Sequence, residues 1–143
     1  MTVAEKLKEW ISQYGAQLEL ETDFIEAGNG SYSFYKSPQS NIVTHIDGSK
    51  LITEYYNFFM RQSTQMDEER IENQEWLARF EEWIDEQNFE ENYPDLAELN
   101  SECQEIAVTG SATITSQEDD SAIYQVTISI QYLKERKNNG KEA

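Results

Sequence analysis

The chain has 143 residues, 28 acidic against 11 basic side chains, a formal net charge of −17, and 38% hydrophobic and 12% aromatic residues. That apolar content excludes global disorder, because a chain of about 150 residues buries roughly 68–70% of its unfolded surface in one core. The charge argues against binding nucleic acid or anionic membrane over a broad face, and a single cysteine, Cys103, excludes an internal disulfide and a thiolate metal cluster.

The N-terminus, "MTVAEKLKEW", lacks the apolar run of a signal peptide, and no later stretch reaches the length of a membrane span. The expectation is a soluble protein made in a reducing cytosol. Val3, Leu7, Trp10, Ile11 and Tyr14 fall at helical spacing, with Gly15 as a stop signal. Thr2 followed three residues on by Glu5 predicts a capping box at the start of this helix.

Strand-like runs follow. "QLELET" alternates through Leu18 and Leu20, and "FIEAGNGSYSFY" places Gly28, Asn29 and Gly30 as a hairpin turn between two possible strands. "SPQSN" breaks the pattern at Pro38, and "NIVTHIDGSK" ends in an Asp47–Gly48 turn signal. "LITEYYNFFMRQ" is apolar on both parities, with Ile52, Tyr56, Phe58 and Met60 on one and Leu51, Tyr55 and Phe59 on the other. Such a strand is central in its sheet or covered on both faces.

"QSTQMDEERIENQEWLARFEEWIDEQN" predicts a second helix, capped by Thr64 or Asp67, with Glu68 and Glu69 at the positive end of its dipole. Ile71, Trp76, Leu77, Phe80, Trp83 and Ile84 form its apolar stripe, while Glu75, Glu82, Asp85 and Glu86 lie away from it. Trp76, Phe80 and Trp83 are expected in the core, and Tyr93–Pro94 marks a loop. In "CQEIAVTGSATITSQ", Ile106, Val108, Ala112 and Ile114 share a parity; in "AIYQVTISIQYL", Tyr124, Val126, Ile128, Ile130 and Tyr132 do. With "EDDS" as the turn, these two runs predict a long antiparallel hairpin with one dry and one polar face. Two helices can cover the dry face. The polar rows of Thr, Ser and Gln can pair with another subunit, form a wide polar surface, or face water.

Chemistry finds little footing. His45 stands beside a turn, two residues from Asp47, with no nucleophile suggested nearby, so a hydrogen-bonded turn histidine is the preferred reading. Cys103 reads as a buried structural thiol. The i,i+4 pairs Glu81–Asp85 and Glu82–Glu86 stand on one helix face, whereas a glycosidase pair stands across a cleft, and no calcium-loop spacing is present. CxxC, HExxH and GxSxG patterns are absent, and the Gly28–Gly30 stretch is too short for a phosphate-binding loop. The expectation is no enzyme activity, with no catalytic, cofactor-binding or metal residues. Charge is also uneven: acids dominate the charged residues of 67–98, relieved only by Arg70 and Arg79, while the end of the chain carries Lys134, Arg136, Lys137 and Lys141. Opposite patches can steer copies into head-to-tail contact; equally, the acids can be a solvated face and the tail disordered.

Taken in order, the landmarks resemble a family of small tailed-bacteriophage structural proteins, the minor capsid or tail terminator (tail-to-head joining) proteins. They are the N-terminal amphipathic helix, "SYSFYKSP" leading to "HIDGSK", "EYYNFFMRQS", "ENQEWLARFEEWIDEQN", "YPDL", "IAVTGSATI" and "SAIYQVTISIQYLKE". The resemblance implies an α+β subunit with helices packed on a mixed or antiparallel sheet. Similar proteins form rings, commonly hexameric, that cap the tail tube and dock it to the head. The expected partners are therefore other copies of the chain, the tail tube and head-completion or connector proteins. Membrane and sequence-specific nucleic acid are not among them, although DNA passes through such a ring. The expected location is the virion, after synthesis in the host bacterial cytoplasm. The residues and the resemblance together predict one α+β domain over residues 1–134, a mixed, mainly antiparallel sheet with two amphipathic helices packed on one face, and a disordered tail over 135–143. The alternative is a monomeric acidic adaptor or inhibitor that binds a basic partner protein.

Overall fold

A computed structural model describes residues 2–13, 21–22, 31–63, 67–117 and 121–135. The first element, α1 (Val3–Ile11), begins where the sequence expects. Thr2 Oγ1 accepts from the Glu5 amide at 3.2 Å, and Glu5 Oε1 accepts from the Thr2 amide at 3.1 Å. Reciprocal capping satisfies two amides that the helix leaves unpaired, and such a cap is worth about 1 kcal/mol. The helix buries Leu7, Trp10 and Ile11 and ends at Ser12. Tyr14 and Gly15, expected as its last apolar residue and its stop, lie outside the described residues.

The remaining elements are β1 (Glu21–Thr22), β2 (Ser31–Thr44), β3 (Lys50–Ser63), α2 (Asp67–Phe89), a 3-10 turn at Ala97–Leu99, β4 (Ser101–Gln117) and β5 (Ser121–Lys134). The strands form one sheet in the order β1-β2-β3-β5-β4. The β1–β2 pair is parallel and the other three are antiparallel, so the sheet is mixed and mainly antiparallel. Together with the two helices this is an α+β fold. No helix among the described residues is long and apolar enough to cross a membrane.

β3 lies between β2 and β5, the central place expected for a strand apolar on both parities. Ile52, Tyr56, Phe58 and Met60 are buried on the face that carries both helices, alongside Phe34 of β2 and Tyr124, Val126, Ile128, Ile130 and Tyr132 of β5. Leu51, Tyr55 and Phe59 are half-buried on the other face. From α2, Leu77, Phe80 and Ile84 enter this core; Trp76 and Trp83 pack against it half-buried. Trp83 meets Trp10 of α1 with ring centroids 4.7 Å apart, and Trp10 Nε1 donates to the Asn92 carbonyl at 2.9 Å. That pair joins the two helices over one face of the sheet. Asn88, near the end of α2, accepts the Ile106 amide of β4 at 3.1 Å and the Tyr93 hydroxyl at 3.1 Å.

Four expectations are revised. Pro38 does not end a strand: β2 runs through it, with a register shift between Lys36 and Ser40. β1 pairs with β2 only at Ser33 and Phe34, so Pro38 sits on an edge with no described neighbour, where a missing N–H breaks no ladder. Ile71 is 55% exposed and outside the stripe. It lies seven residues, close to two turns, before exposed Ala78, and so rides on that residue's side of α2. Asp67 is the first residue of α2 rather than its cap, and Thr64 lies outside the described residues, as do the Gly28–Gly30 turn and residues 136–143. Finally, β4 is not a plain alternating strand but carries four register shifts against β5.

Candidate functional site

The β2–β3 turn brings His45 and Asp47 together and adds a serine that the sequence reading did not connect with them. Asp47 Oδ1 accepts the Ser49 amide at 2.9 Å and the Ser49 hydroxyl at 2.6 Å, and His45 Nδ1 lies 3.1 Å from the same hydroxyl. In a catalytic triad the histidine bridges serine and aspartate. Here serine is the bridge, and its proton is held by a carboxylate. The Ser49 hydroxyl, then the Ser49 amide, keep the Asp47 carboxyl below its ordinary value, which makes it a poorer base. Gly48 takes a positive φ of 91°, and its amide reaches the His45 carbonyl at 3.0 Å. The three side chains staple a tight turn.

Cys103 is 6% exposed, and its S–H points to the Glu105 carbonyl at 3.8 Å. Burial pushes its pKa up to about 12. Near neutral pH very little of the thiolate that attacks electrophiles is then present. We expect a disulfide reagent to leave the native thiol essentially untouched over minutes and to label it at once in denaturant. Fast stoichiometric labelling of the folded protein would contradict the burial.

On α2, Glu75, Glu82, Asp85 and Glu86 are exposed and Glu81 is half-buried. Among the described residues, no group of three or more His, Cys, Asp or Glu side chains is arranged to hold a metal ion. These acids form the outer side of a helix whose inner side is Leu77, Phe80 and Ile84, as their spacing indicates.

Three surfaces remain. First, the sheet face opposite the helices has no cover among the described residues. Its polar rows are tied across strands: Asn57 Oδ1 accepts from Gln125 Nε2 and from Thr127 Oγ1, each at 2.9 Å. Gln131 Nε2 donates to Thr53 Oγ1 at 3.4 Å, and Tyr35 stacks on Phe59 at 5.3 Å. The face is therefore pre-ordered, with half-buried Leu51, Tyr55, Ile123 and Leu133 interspersed among its polar groups. Second, the end of the β2–β3 hairpin is apolar and exposed: Ile42 and Val43 are 54% and 47% accessible, and Ile46 is fully so. Third, an open depression of about 220 Å³ lies between Gln74, Leu77, Ala78 and Glu81 of α2 and Thr113, Ile114 and Tyr124 of the β4–β5 hairpin. The Tyr124 hydroxyl is buried and has no hydrogen-bond partner among the described residues.

The run "NIVTHI" contains the apolar residues of the hairpin end, and alternation assigns Ile42 and Val43 to opposite faces. What it does not signal is that no described element covers either side there. The depression has no sequence signal at all, because Ile114 and Tyr124 read as ordinary dry-face residues. The chain matches no protein-family model and no curated protein sequence.

Proposed function

We propose that this protein is a structural subunit of a phage virion, a tail terminator or head–tail joining protein. Copies close into a ring that caps the tail tube and docks it to the head. The observation that carries the reading is the sheet's second face: ordered by cross-strand hydrogen bonds, studded with half-buried Leu51, Tyr55 and Phe59, and without a described cover. Partly apolar faces of this kind are used for association. The exposed acids of α2 suit a lumen through which DNA slides, since like charge prevents adhesion.

Self-repulsion from a formal charge of −17 per copy opposes the ring. Salt near physiological strength screens that repulsion beyond about 8–10 Å. Light scattering is expected to give the single-chain mass of 16.7 kDa when dilute at low salt. At high concentration and moderate salt the mass should rise to a fixed plateau, with a hexamer as the expected ring. A mass that grows without limit would indicate an open polymer and contradict a closing interface. A monomer at every concentration and on no phage tail would favour the acidic adaptor.

A further inference from the structure

We propose that the β2–β3 hairpin end of one copy inserts Ile46 into the depression between α2 and the β4–β5 hairpin of a second copy. The inference rests on the ring reading and names the contact that closes the ring.

Three observations lead there. Ile46 is fully exposed at the turn, with Ile42 and Val43 behind it, an apolar end on a strongly charged chain. The depression, at about 220 Å³, has room for an isoleucine side chain and offers apolar walls in Leu77, Ala78 and half-exposed Ile114. Tyr124 forms part of the same lining, at a level of the sheet remote from the hairpin end.

Geometry makes the contact intermolecular. The hairpin end lies at the Lys50 end of β3, whereas the depression lies by Tyr124, which pairs with Met60. Ten residues of strand separate these levels, about 33 Å, so the hairpin end cannot reach its own depression. A projection at one end of the sheet and a hollow toward the other make a heterologous contact, the kind that closes into a ring when the rotation per copy fits.

Charge selects the hairpin end as occupant. The depression is flanked by Glu81 and by exposed Glu75 and Glu82. An acidic partner surface is disfavoured there by like charge. Residues 31–46 contain no aspartate or glutamate, and His45 and Lys50 flank the turn. Asp47 is the one acid of the turn, and Lys50 stands three residues after it.

The test uses two single variants of the full chain, Ile46→Glu and Ala78→Glu, both at exposed positions and checked for unchanged thermal unfolding. Each alone should remain monomeric where the wild type forms rings. Mixed, they should give one-to-one dimers and nothing larger, because the pair retains a single intact end and a single intact hollow. On purified tails, Ile46→Cys combined with Ala78→Cys should cross-link neighbouring copies under oxidation, with buried Cys103 silent. Rings formed by Ile46→Glu, a mixture that stays monomeric, or tails without the cross-link would overturn this contact while leaving the ring reading intact. An Ile46→Glu protein that forms rings but fails to join tails would assign the hairpin end to the tail tube instead. A wild type that never assembles and never appears on tails would overturn both.

Discussion

Replacing Phe80 with alanine is expected to destabilise the protein by about 3–5 kcal/mol, the range for deleting a large aromatic from a packed core. Phe80 is fully buried, with its ring 4.9 Å from Phe58 of the central strand and 5.5 Å from Trp76 one turn earlier on α2. Its removal opens a cavity where helix and sheet meet, and neighbours held by their own stacking cannot collapse into it. Trp83→Ala should cost less, because Trp83 is half-buried beside Trp10. Glu82→Gln, on the exposed side, should change stability by less than about 0.5 kcal/mol. Urea denaturation midpoints of the three variants measure the order directly. Near-wild-type stability for Phe80→Ala, with a large loss for Glu82→Gln, would mean that α2 is turned the other way.

The second large effect follows from the proposed terminator role. If this protein ends tail polymerisation, phage particles made without it should carry tails longer than wild type, widely distributed in length and not joined to heads. Electron micrographs of lysates from a null mutant give the distribution. Tails of normal, uniform length attached to heads would remove the terminator role. Normal tails that remain unattached would restrict the protein to joining. Complementation with the wild-type chain should restore both length and attachment, and Ile46→Glu should fail if the contact proposed above closes the ring.

Local signals were legible where a residue's partner lies close in sequence or on one face. Thr2 and Glu5 are three residues apart, so their mutual capping could be read directly. Residues 122–133 alternate cleanly because β5 is hydrogen-bonded on both sides and packed on one face. The two-sided apolar character of residues 51–62 pointed to a central strand, and β3 is one, although β5 is equally central and alternates. β4 concealed its irregularity: two of its register shifts lie between Val108 and Ile114, and two extra residues restore the original parity. Both residues therefore keep to the helix-facing side, and the pattern looks unbroken. Ile71 misled because an apolar residue near a helical stripe is not necessarily on it, and two turns later the same side carries Ala78 and is exposed. The depression was invisible because it depends on where α2 stops covering the β4–β5 hairpin, a matter of tertiary placement. The Ser49 bridge between His45 and Asp47 was missed because a serine in a turn carries no chemical signature until its hydroxyl is placed.

The proposed role is to end the tail tube at the head. Cryo-electron microscopy of purified tails, with the protein marked by a specific antibody fragment, tests it most directly. The expected result is a single closed ring of this α+β subunit at the head-proximal end of every complete tail, with none along the tube or at the distal tip. Tails that carry no copy, or copies distributed along the tube, would contradict it.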